Sequence, residues 1–335
     1  MAKASAVANS NIALVKYWGK RNKELMLPHN GSLSMTLEGL QTHTTVEFDK
    51  KYKEDVLIIN GQEIAKGTED YDDYVGRFLG IFRKKYGIKH FAKMMSTNNY
   101  PTAAGLASSA SGMAALALAA SKAAGLSLNK KDLSILARYG SGSACRSIEG
   151  GFVEWTRGQR EDGTDSFGRQ IFPKEHWPEL RMVIAVTSKK SKKVKSRAGM
   201  AKTVENCPYY KTWAYNIVPK DLELVKKAIK EKNFTLLGRT AELNALKMHA
   251  TALTTDPPII YWNEGTVAVM HAVMDWRDEG LESYFTIDGG PQVKVICLEK
   301  DAEAIAKRLR AFDTVQEVII AKAGDGARLT EKHMF

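Results

Sequence analysis

The stretch YPTAAGLASSASGMAALALAASKAAG, residues 100–125, has the composition of a phosphate-binding turn that continues into a helix. Backbone N–H groups and the positive dipole end at a helix start attract anions. The hydroxyls of Ser108, Ser109 and Ser111 can add hydrogen bonds to phosphate oxygens. A tightly packed helix without a ligand is an equally good interpretation of the same residues. Because the Gly-Lys-Ser/Thr of a Walker A loop is missing, a phosphate here needs a cation from elsewhere.

Cations occur at the end of the first apolar strand. In NIALVKYWGKR, residues 11–21, Lys16, Lys20 and Arg21 follow a short apolar run. A cation at this strand end can supply the charge that the serine-rich segment lacks. Lysines that lie along an ordinary sheet edge, with their amines in water, are the alternative.

Two glycine-containing turns carry the other candidate groups. YGSGSACRSIEGG, residues 139–151, combines two glycine–serine pairs with Arg146, whose guanidinium can hold a carboxylate or a phosphate through two hydrogen bonds. FTIDGGP, residues 285–291, ends an apolar strand with Asp288, which directs a carboxylate into a cleft. A helix-capping turn and an aspartate that merely opens a turn are the alternatives.

Composition limits the class of protein. The 335 residues are 44% apolar and 26% charged, enough for one large two-lobed domain or two ordinary domains. No run of about 18 apolar residues predicts a membrane span, and the N-terminus is a poor secretory signal. The odd number and wide spacing of Cys145, Cys207 and Cys297 indicate a reducing compartment. We therefore expect a cytoplasmic protein without a membrane partner.

The net charge of +11 is partly concentrated in SKKSKKVKSR, residues 188–197. A basic excess is typical of proteins that bind nucleic acid, an anionic membrane surface or a polyanionic small substrate. The spacing of a zinc finger, an RRM or a helix-turn-helix is missing, so nucleic acid is not favoured. A solvated lysine-rich loop is the alternative.

The secondary structure that must position these residues is mixed. Thr42–Asp49 and Asp55–Gly61 are predicted to form an antiparallel strand pair. A helical stripe then ends at Gly87, and Asn129 is a predicted N-cap of a later helix.

Residues 198–253 are predicted to be largely helical, and strands and helices alternate again towards the C-terminus. Strict βαβ alternation is missing, so we predict an α+β fold. A boundary near residue 185 divides the chain into lobes of 1–185 and 186–335.

Taken together and in this order, the motifs resemble the GHMP kinase superfamily and, within it, the mevalonate diphosphate decarboxylases. The resemblance covers nearly the whole chain, and KYWGKR with GSGSACRS is its most specific part. It implies an S5-like N-terminal lobe, a ferredoxin-like C-terminal lobe, an active site in the cleft between them, and a homodimer.

The resemblance also implies an activity. Members of the family use ATP and Mg²⁺ to phosphorylate the tertiary 3-hydroxyl of a 5-phosphorylated mevalonate, and loss of that phosphate with CO₂ gives an isopentenyl product. Asp288 matches the catalytic carboxylate, as a base or an orienting acceptor. Lys16 matches the lysine that offsets charge on the transferring phosphoryl group. Arg146 matches the group that holds the substrate carboxylate.

The same matches assign the remaining site residues. Those on the substrate side are Tyr17, Lys20, Ser141, Ser143, Ser196 and Arg197. Those on the nucleotide side are Asn98, Gly105, Ser108, Ser109 and Ser111, with Ser109 also next to the metal ion. Lys16, assisted by Mg²⁺, thus replaces the missing Walker lysine.

Three positions depart from the family pattern. Lys195 stands where relatives commonly have a small hydroxyl residue, His29 where they have an aliphatic one, and Gly31 where they have serine. Lys195 and His29 can change how the distal phosphate is held. We expect a decarboxylase of 5-diphosphomevalonate. A 5-monophosphate decarboxylase, a mevalonate 3-kinase and a non-catalytic nucleic-acid-binding protein are the alternatives.

Overall fold

The computed structural model describes residues 3–100, 108–190 and 192–335. The strands are β1 (Lys3–Val15), β2 (Lys20–Asn22), β3 (Leu27–Pro28), β4 (Ser32–Phe48), β5 (Val56–Ile59), β6 (Gln62–Glu63), β7 (Ala92–Asn98), β8 (Phe152–Trp155), β9 (Gly168–Phe172), β10 (Leu180–Val186), β11 (Tyr284–Ile287), β12 (Val293–Leu298), β13 (Glu317–Lys322) and β14 (Arg328–Thr330). The α-helices are α1 (Glu69–Tyr71), α2 (Gly80–Tyr86), α3 (Ser108–Ala123), α4 (Lys130–Gly140), α5 (Ala144–Ser147), α6 (Ser196–Asn206), α7 (Tyr210–Thr212), α8 (Val218–Glu231), α9 (Phe234–Leu253), α10 (Glu264–Asp278) and α11 (Glu299–Arg310).

Irregular helical segments complete the secondary structure. The π-helical segments Asp72–Leu79 and Trp213–Ile217 join α1 to α2 and α7 to α8. A 3₁₀ turn covers Lys174–His176. Within the described ranges, no helix has the length and apolar character needed to span a bilayer.

The larger sheet consists of strands from the N-terminal half of the chain together with the C-terminal strand β14. Its order is β14–β1–β4–β7–β5–β6, with β8 also paired to β4 and β9 paired to β8. Helix α3 packs against β1 and β4. The buried residues of α3 are mostly alanine, so the helix can approach the sheet closely and hold its first turn in place.

One predicted strand pairing is wrong. Thr42–Asp49 lies almost entirely within β4 and Asp55–Gly61 contains β5, but β7 lies between these two strands and pairs in parallel with β5. The Asn-Gly signal belongs to the short β5–β6 hairpin, where Asn60 and Gly61 adopt φ angles of 50° and 81°. A local turn signal does not reveal that a strand from later in the chain inserts between two earlier ones.

The second sheet has the order β11–β12–β10–β13 and is antiparallel throughout. Helices separate β10 from β11, and α11 separates β12 from β13, which is the βαββαβ topology of a ferredoxin-like lobe. Val183 and Val295 pack with α10 and α11 on one face. Ile184 and Ile296, on the other face, join a core that also contains β1 and α9. The predicted α+β, two-lobed fold is confirmed.

Helix ends follow the predicted signals. Gly87 ends α2 in the left-handed conformation, with φ of 69°. Asn129 caps α4, because its side-chain oxygen accepts a hydrogen bond from the N–H of Asp132 at 2.9 Å. Residues 198–253 are helical over most of their length.

The chain crosses from the first sheet to the second before β10, and it returns to the first sheet at β14. β10 begins at Leu180 and lies in the second sheet, whereas β14 returns to the first sheet and pairs with β1. A boundary at residue 185 falls inside β10. The division into 1–185 and 186–335 stays a prediction.

Gly238 allows α9 to pack against β11. A Cβ atom at this position would lie 1.9 Å from Cδ2 of Tyr284, whose side chain is buried. We predict that Gly238→Ala lowers the free energy of unfolding by about 1–3 kcal/mol, because overpacking displaces the ring, although alanine is the better helix former. Urea unfolding should show this as a lower midpoint.

Gly80→Ala is the matched control. Gly80 is exposed, has helical backbone angles and leaves open space for a Cβ atom. We expect this variant to raise the free energy of unfolding by about 0.5–1 kcal/mol. Equal stability of Gly238→Ala and the wild type would mean that the tyrosine ring moves aside without cost, contrary to the prediction.

Candidate active site

A cavity of about 530 Å³ lies between the two lobes. Residues near the end of β1, the start of α3 and the turn between α4 and α5 form its N-terminal wall. Residues around the start of α6 and after β11 form its C-terminal wall. The sequence-predicted residues that line it are Lys16, Tyr17, Lys20, Asn98, Ser108, Ser109, Ser141, Ser143, Arg146, Ser196, Arg197 and Asp288. The fold thus brings together motifs from distant parts of the chain.

Lys16 and Asp288 come from different lobes and meet in this cavity. Lys16 follows β1 and Asp288 follows β11; Lys16 Nζ lies 2.7 Å from Asp288 Oδ1 and 2.8 Å from the carbonyl oxygen of Ala13. Burial lowers the pKa of Lys16 to about 8, although the adjacent carboxylate opposes this shift. The pair is therefore an ion pair at neutral pH whose lysine titrates close to the physiological range.

Lys294 is a site residue that the sequence analysis missed. It lies on β12 with its side chain fully buried, and its Nζ is 3.2 Å from Asp288 Oδ2, an ion-pair distance without hydrogen-bond alignment. Burial of Asp288 opposes its ionisation, yet Lys16 and Lys294 outweigh that effect and hold the pKa of the carboxyl below its usual value. The signal in the sequence is a single lysine inside the apolar strand VKVICL, because a buried lysine needs a partner.

Arg146 is a third buried cation, held by neutral groups. Its guanidinium donates to Ser34 Oγ at 2.9 Å, to Ser32 Oγ at 2.5 Å and to Asn11 Oδ1 at 3.1 Å. Burial lowers its pKa. These contacts fix the orientation of the guanidinium without neutralising its charge.

The buried charges do not balance. Lys16, Lys294 and Arg146 carry three positive charges, and Asp288 carries one negative charge. An uncompensated charge is costly away from water. This part of the cavity is therefore suited to an anionic ligand.

A second group of charged side chains lies beside the cavity and consists of Glu69, Asp73, Arg77, Lys195 and Arg197. Arg197, in α6, pairs with Asp73 with one contact at 2.7 Å, and Arg77 pairs with the same carboxylate at 2.8 Å. Lys195 pairs with Glu69. Glu69, Asp73 and Arg77 were not predicted. Their spacing of four residues, which places side chains on one helical face, is the signal that could have identified them.

Lys20 and Tyr17 lie beside this second group. Burial, with contributions from Arg197 and Arg77, lowers the pKa of Lys20 to about 8. Tyr17 packs edge-on against Trp155, and its buried hydroxyl has no hydrogen-bond partner among the described residues. A buried hydroxyl of this kind on a cavity wall is available to a ligand.

Hydroxyl groups gather where α3 starts and α4 ends. Ser109 Oγ lies 3.4 Å from Ser141 Oγ, which in turn lies 3.5 Å from Ser143 Oγ. Gly142 lies between the latter two, and a Cβ atom there would be 2.7 Å from the Trp155 ring. The first turn of the 16-residue helix α3 faces the cavity, and the positive dipole end of a helix favours an anion.

Two predicted nucleotide-side positions need separate treatment. Gly105 lies outside the described residues. Ser111 is fully buried, and its hydroxyl is 2.6 Å from that of Thr42 and 2.7 Å from that of Tyr100. The hydroxyl of Ser111 is therefore engaged in the interior, and the assignment of this residue to the nucleotide side stays a prediction.

Lys195 and His29, which depart from the family pattern, lie in different surroundings. Lys195 lines the cavity. His29 is not part of the cavity wall that the described residues form; its Nδ1 lies 2.5 Å from the hydroxyl of Tyr215. Only Lys195 is placed to act on a ligand directly.

The side chains that line the cavity fit a metal ion whose oxygen ligands come mainly from a bound nucleotide. Among the described residues, no group of three or more His, Cys, Asp or Glu side chains could hold a metal ion. Mg²⁺ usually needs only one or two protein oxygens when nucleotide phosphates supply the rest. Ser109, at the start of α3 and on the cavity wall, stays the predicted residue for this contact.

Comparison with known families matches both parts of the chain. Residues 8–168 match the diphosphomevalonate decarboxylase-like N-terminal domain, and residues 182–330 match the mevalonate 5-diphosphate decarboxylase C-terminal domain. The chain is 38% identical over 327 residues to diphosphomevalonate decarboxylase of Homo sapiens, covering 93% of this chain and 81% of the human protein. It is 36% identical to the Saccharomyces cerevisiae protein of that name, with 93% and 82% covered.

Solved structures of similar proteins have the same fold. A complex of MDDEF with MVAPP, AMPPCP and magnesium superimposes with a TM-score of 0.91 at 46% identity, over 99% of both chains. Mevalonate diphosphate decarboxylase from Staphylococcus aureus gives a TM-score of 0.91 at 39% identity, over 98% of both chains. The predicted resemblance is confirmed, and the chain belongs to the diphosphomevalonate decarboxylase family.

Proposed function

We propose that this chain is an ATP-dependent decarboxylase that converts 5-diphosphomevalonate into isopentenyl diphosphate. The observation that carries the proposal is the cluster of Lys16, Lys294 and Arg146 around Asp288 in one interlobe cavity. The names of the relatives support the reaction, and the relative solved with MVAPP, AMPPCP and magnesium supports ATP and Mg²⁺ as reactants. We further propose that the protein is cytoplasmic and forms a homodimer. The three free, buried cysteines support the first of these two points.

The first chemical step is phosphorylation of the tertiary hydroxyl. The Asp288 carboxylate accepts a hydrogen bond from that hydroxyl and orients its oxygen towards the γ-phosphorus. The new O–P bond forms as the bond from phosphorus to the bridging oxygen breaks, ADP leaves with that electron pair, and the hydroxyl proton passes to Asp288. Lys16 offsets the negative charge of the transferring phosphoryl group.

The second step is elimination with loss of CO₂. The C–O bond breaks and its electron pair leaves with phosphate, a far better leaving group than hydroxide. The bond to the substrate carboxylate breaks, and its electrons form the new double bond. Arg146 holds the carboxylate until this step. Electrons balance without a redox cofactor.

The remaining predicted residues bind the two polyanions. Ser108 and Ser109 lie where the α3 dipole favours a nucleotide phosphate, and Mg²⁺ bound there would neutralise phosphate charge next to Ser109. Ser141 and Ser143 lie between the two ligands. Tyr17, Lys20, Ser196 and Arg197 hold the substrate's 5-diphosphate end. Lys195 lines the same cavity, where it is paired with Glu69.

A product assay tests the function. The protein is supplied with ATP, Mg²⁺ and 5-diphosphomevalonate, and ADP, phosphate and CO₂ are measured on the same sample. Equal amounts of all three are expected. ADP without CO₂ would instead indicate a kinase, and faster turnover of 5-monophosphomevalonate in a parallel reaction would change the substrate.

Asp288→Asn tests the central carboxylate. We predict that kcat falls by about 10²–10⁴-fold, because the hydroxyl loses its proton acceptor, while the dissociation constant of ATP changes little. Turnover and ATP binding are measured on the same preparation. Asp162→Asn, in an exposed loop, is the control and should retain wild-type kcat. A normal rate for Asp288→Asn would show that the role assigned to this carboxylate is wrong.

Binding of the substrate should take up protons near pH 8. The pKa values of Lys16, Lys20 and Lys192 are all lowered to about 8, chiefly by burial. A bound polyanion stabilises the charged lysines and raises these pKa values, so up to about 1.5 protons are gained per active site at pH 8. Phosphate groups are already ionised at this pH.

Calorimetric titration in two buffers of different ionisation enthalpy measures this uptake. Lys16→Met should reduce it by roughly half a proton, because one half-protonated group is removed. Lys232→Met, which removes an exposed lysine at the end of α8, should leave it unchanged. Proton release on binding would contradict the prediction.

A further inference from the structure

Lys294 has a position that is unusual for a lysine. It lies on a central strand of the second sheet, opposite Thr286 of β11 and Ile184 of β10, with none of its side chain exposed. Moving an ammonium group from water to such a site is costly unless it is paired. Its polar contacts are Asp288 Oδ2 at 3.2 Å and the carbonyl oxygen of Gln292 at 3.3 Å.

The two oxygens of Asp288 are therefore held from different lobes. Lys16, at the end of β1, contacts Oδ1 at 2.7 Å, and Lys294 lies near Oδ2 at 3.2 Å. Two fixed cations on opposite oxygens restrict rotation of the carboxylate plane. They also favour its ionised form, which makes it a weak base.

We propose that Lys294 is a positioning residue for the reaction proposed above: it orients the Asp288 carboxylate towards the tertiary hydroxyl and keeps it ionised until the phosphoryl group transfers. Asp288 then receives the hydroxyl proton only as the new O–P bond forms. The O–P bond to the leaving ADP breaks in the same step, so the electron count is unchanged. The inference rests on the proposed function, because it concerns the same hydroxyl.

Other charged groups around Asp288 and Lys294 must be considered in any pH experiment. Lys16 at the end of β1, Arg146 in α5 and Lys192 before α6 contribute positive charge. His249 in α9 is buried near the carbonyl groups of Ile287 and Asp288, and burial lowers its pKa to about 3. His249 is therefore neutral across the range in which activity is measured.

Lys294→Met tests the proposal through the pH dependence of kcat and kcat/KM. Methionine has a similar length, and Asp288 keeps Lys16 as a partner at 2.7 Å, so the substitution leaves no unpaired carboxylate. Loss of the cation should raise the acid midpoint of kcat by about 1–3 pH units, because Asp288 becomes easier to protonate. The basic midpoint of kcat/KM, near the Lys16 pKa of about 8, should also rise, since one repelling charge is gone.

The turnover rate of Lys294→Met should change as well as its pH profile. We expect kcat at pH 7 to fall by about 10- to 100-fold, because the carboxylate is no longer held in its reactive orientation, with a much smaller change in KM. Lys294→Arg keeps the charge and should retain the wild-type acid midpoint with partial recovery of kcat. Thr286→Val, at the neighbouring register position on β11, is the control for packing and should leave both midpoints unchanged.

The outcomes separate the two proposals. An unchanged pH profile in Lys294→Met, whatever its kcat, would overturn the positioning role. If Lys294→Met does not fold, Lys294→Gln, which keeps a donor but removes the charge, should show the same upward shift, and an unchanged profile there would also overturn it. If the wild type releases ADP without CO₂, the proposed function fails, and the Lys294 test is still decided from the pH dependence of ADP release.

Discussion

Three cations face a single carboxylate at the cavity between the two lobes, and this imbalance of charge determines what the site can bind. One carboxylate, Asp288, lies between ammonium groups from β1 and from β12, with the Arg146 guanidinium in the same cavity. Neither lobe contains this arrangement alone. The apolar core that joins β1, β10, β12 and α9 fixes the two lobes against each other. The charged groups therefore stay paired, which avoids the cost of an unpaired buried charge.

The second charge group shows how the protein accommodates an excess of cations. Arg197 and Arg77 share Asp73, and Lys195 is paired with Glu69. These acids neutralise part of the basic surface of the cavity. A phosphate that binds to Arg197 therefore competes with a carboxylate, which makes its affinity depend on the difference between two ion pairs and not on the arginine alone.

In the proposed function, the serine-rich segment and Lys16, which follows β1, have complementary roles. The start of α3 would offer hydroxyl and backbone donors to phosphate oxygens, and these donors carry no full charge. The charge comes from Lys16, far away in sequence. This division explains why the segment can work without the lysine of a Walker A loop. It also explains why neither segment is convincing when it is considered alone.

Local sequence signals were most informative where the physics is local. Gly87 ends a helix because it adopts a left-handed backbone, and Asn129 caps one with its own side chain. The β4–β5 pairing was wrong because strand neighbours depend on the whole sheet. The surroundings of Ser111 were not predicted, because its helix is turned so that this hydroxyl meets Thr42 in the interior, and periodicity alone does not give that rotation.

The residue types of the site, the α+β class and the family could all be predicted, since they follow from motifs that are each contiguous in the chain. Which side chains share the Asp288 carboxylate became apparent only in the folded protein. Lys294 and the acids Glu69 and Asp73 carry no motif. Their roles arise from burial and from distances between residues that are far apart in sequence, and those quantities exist only after the lobes have packed together.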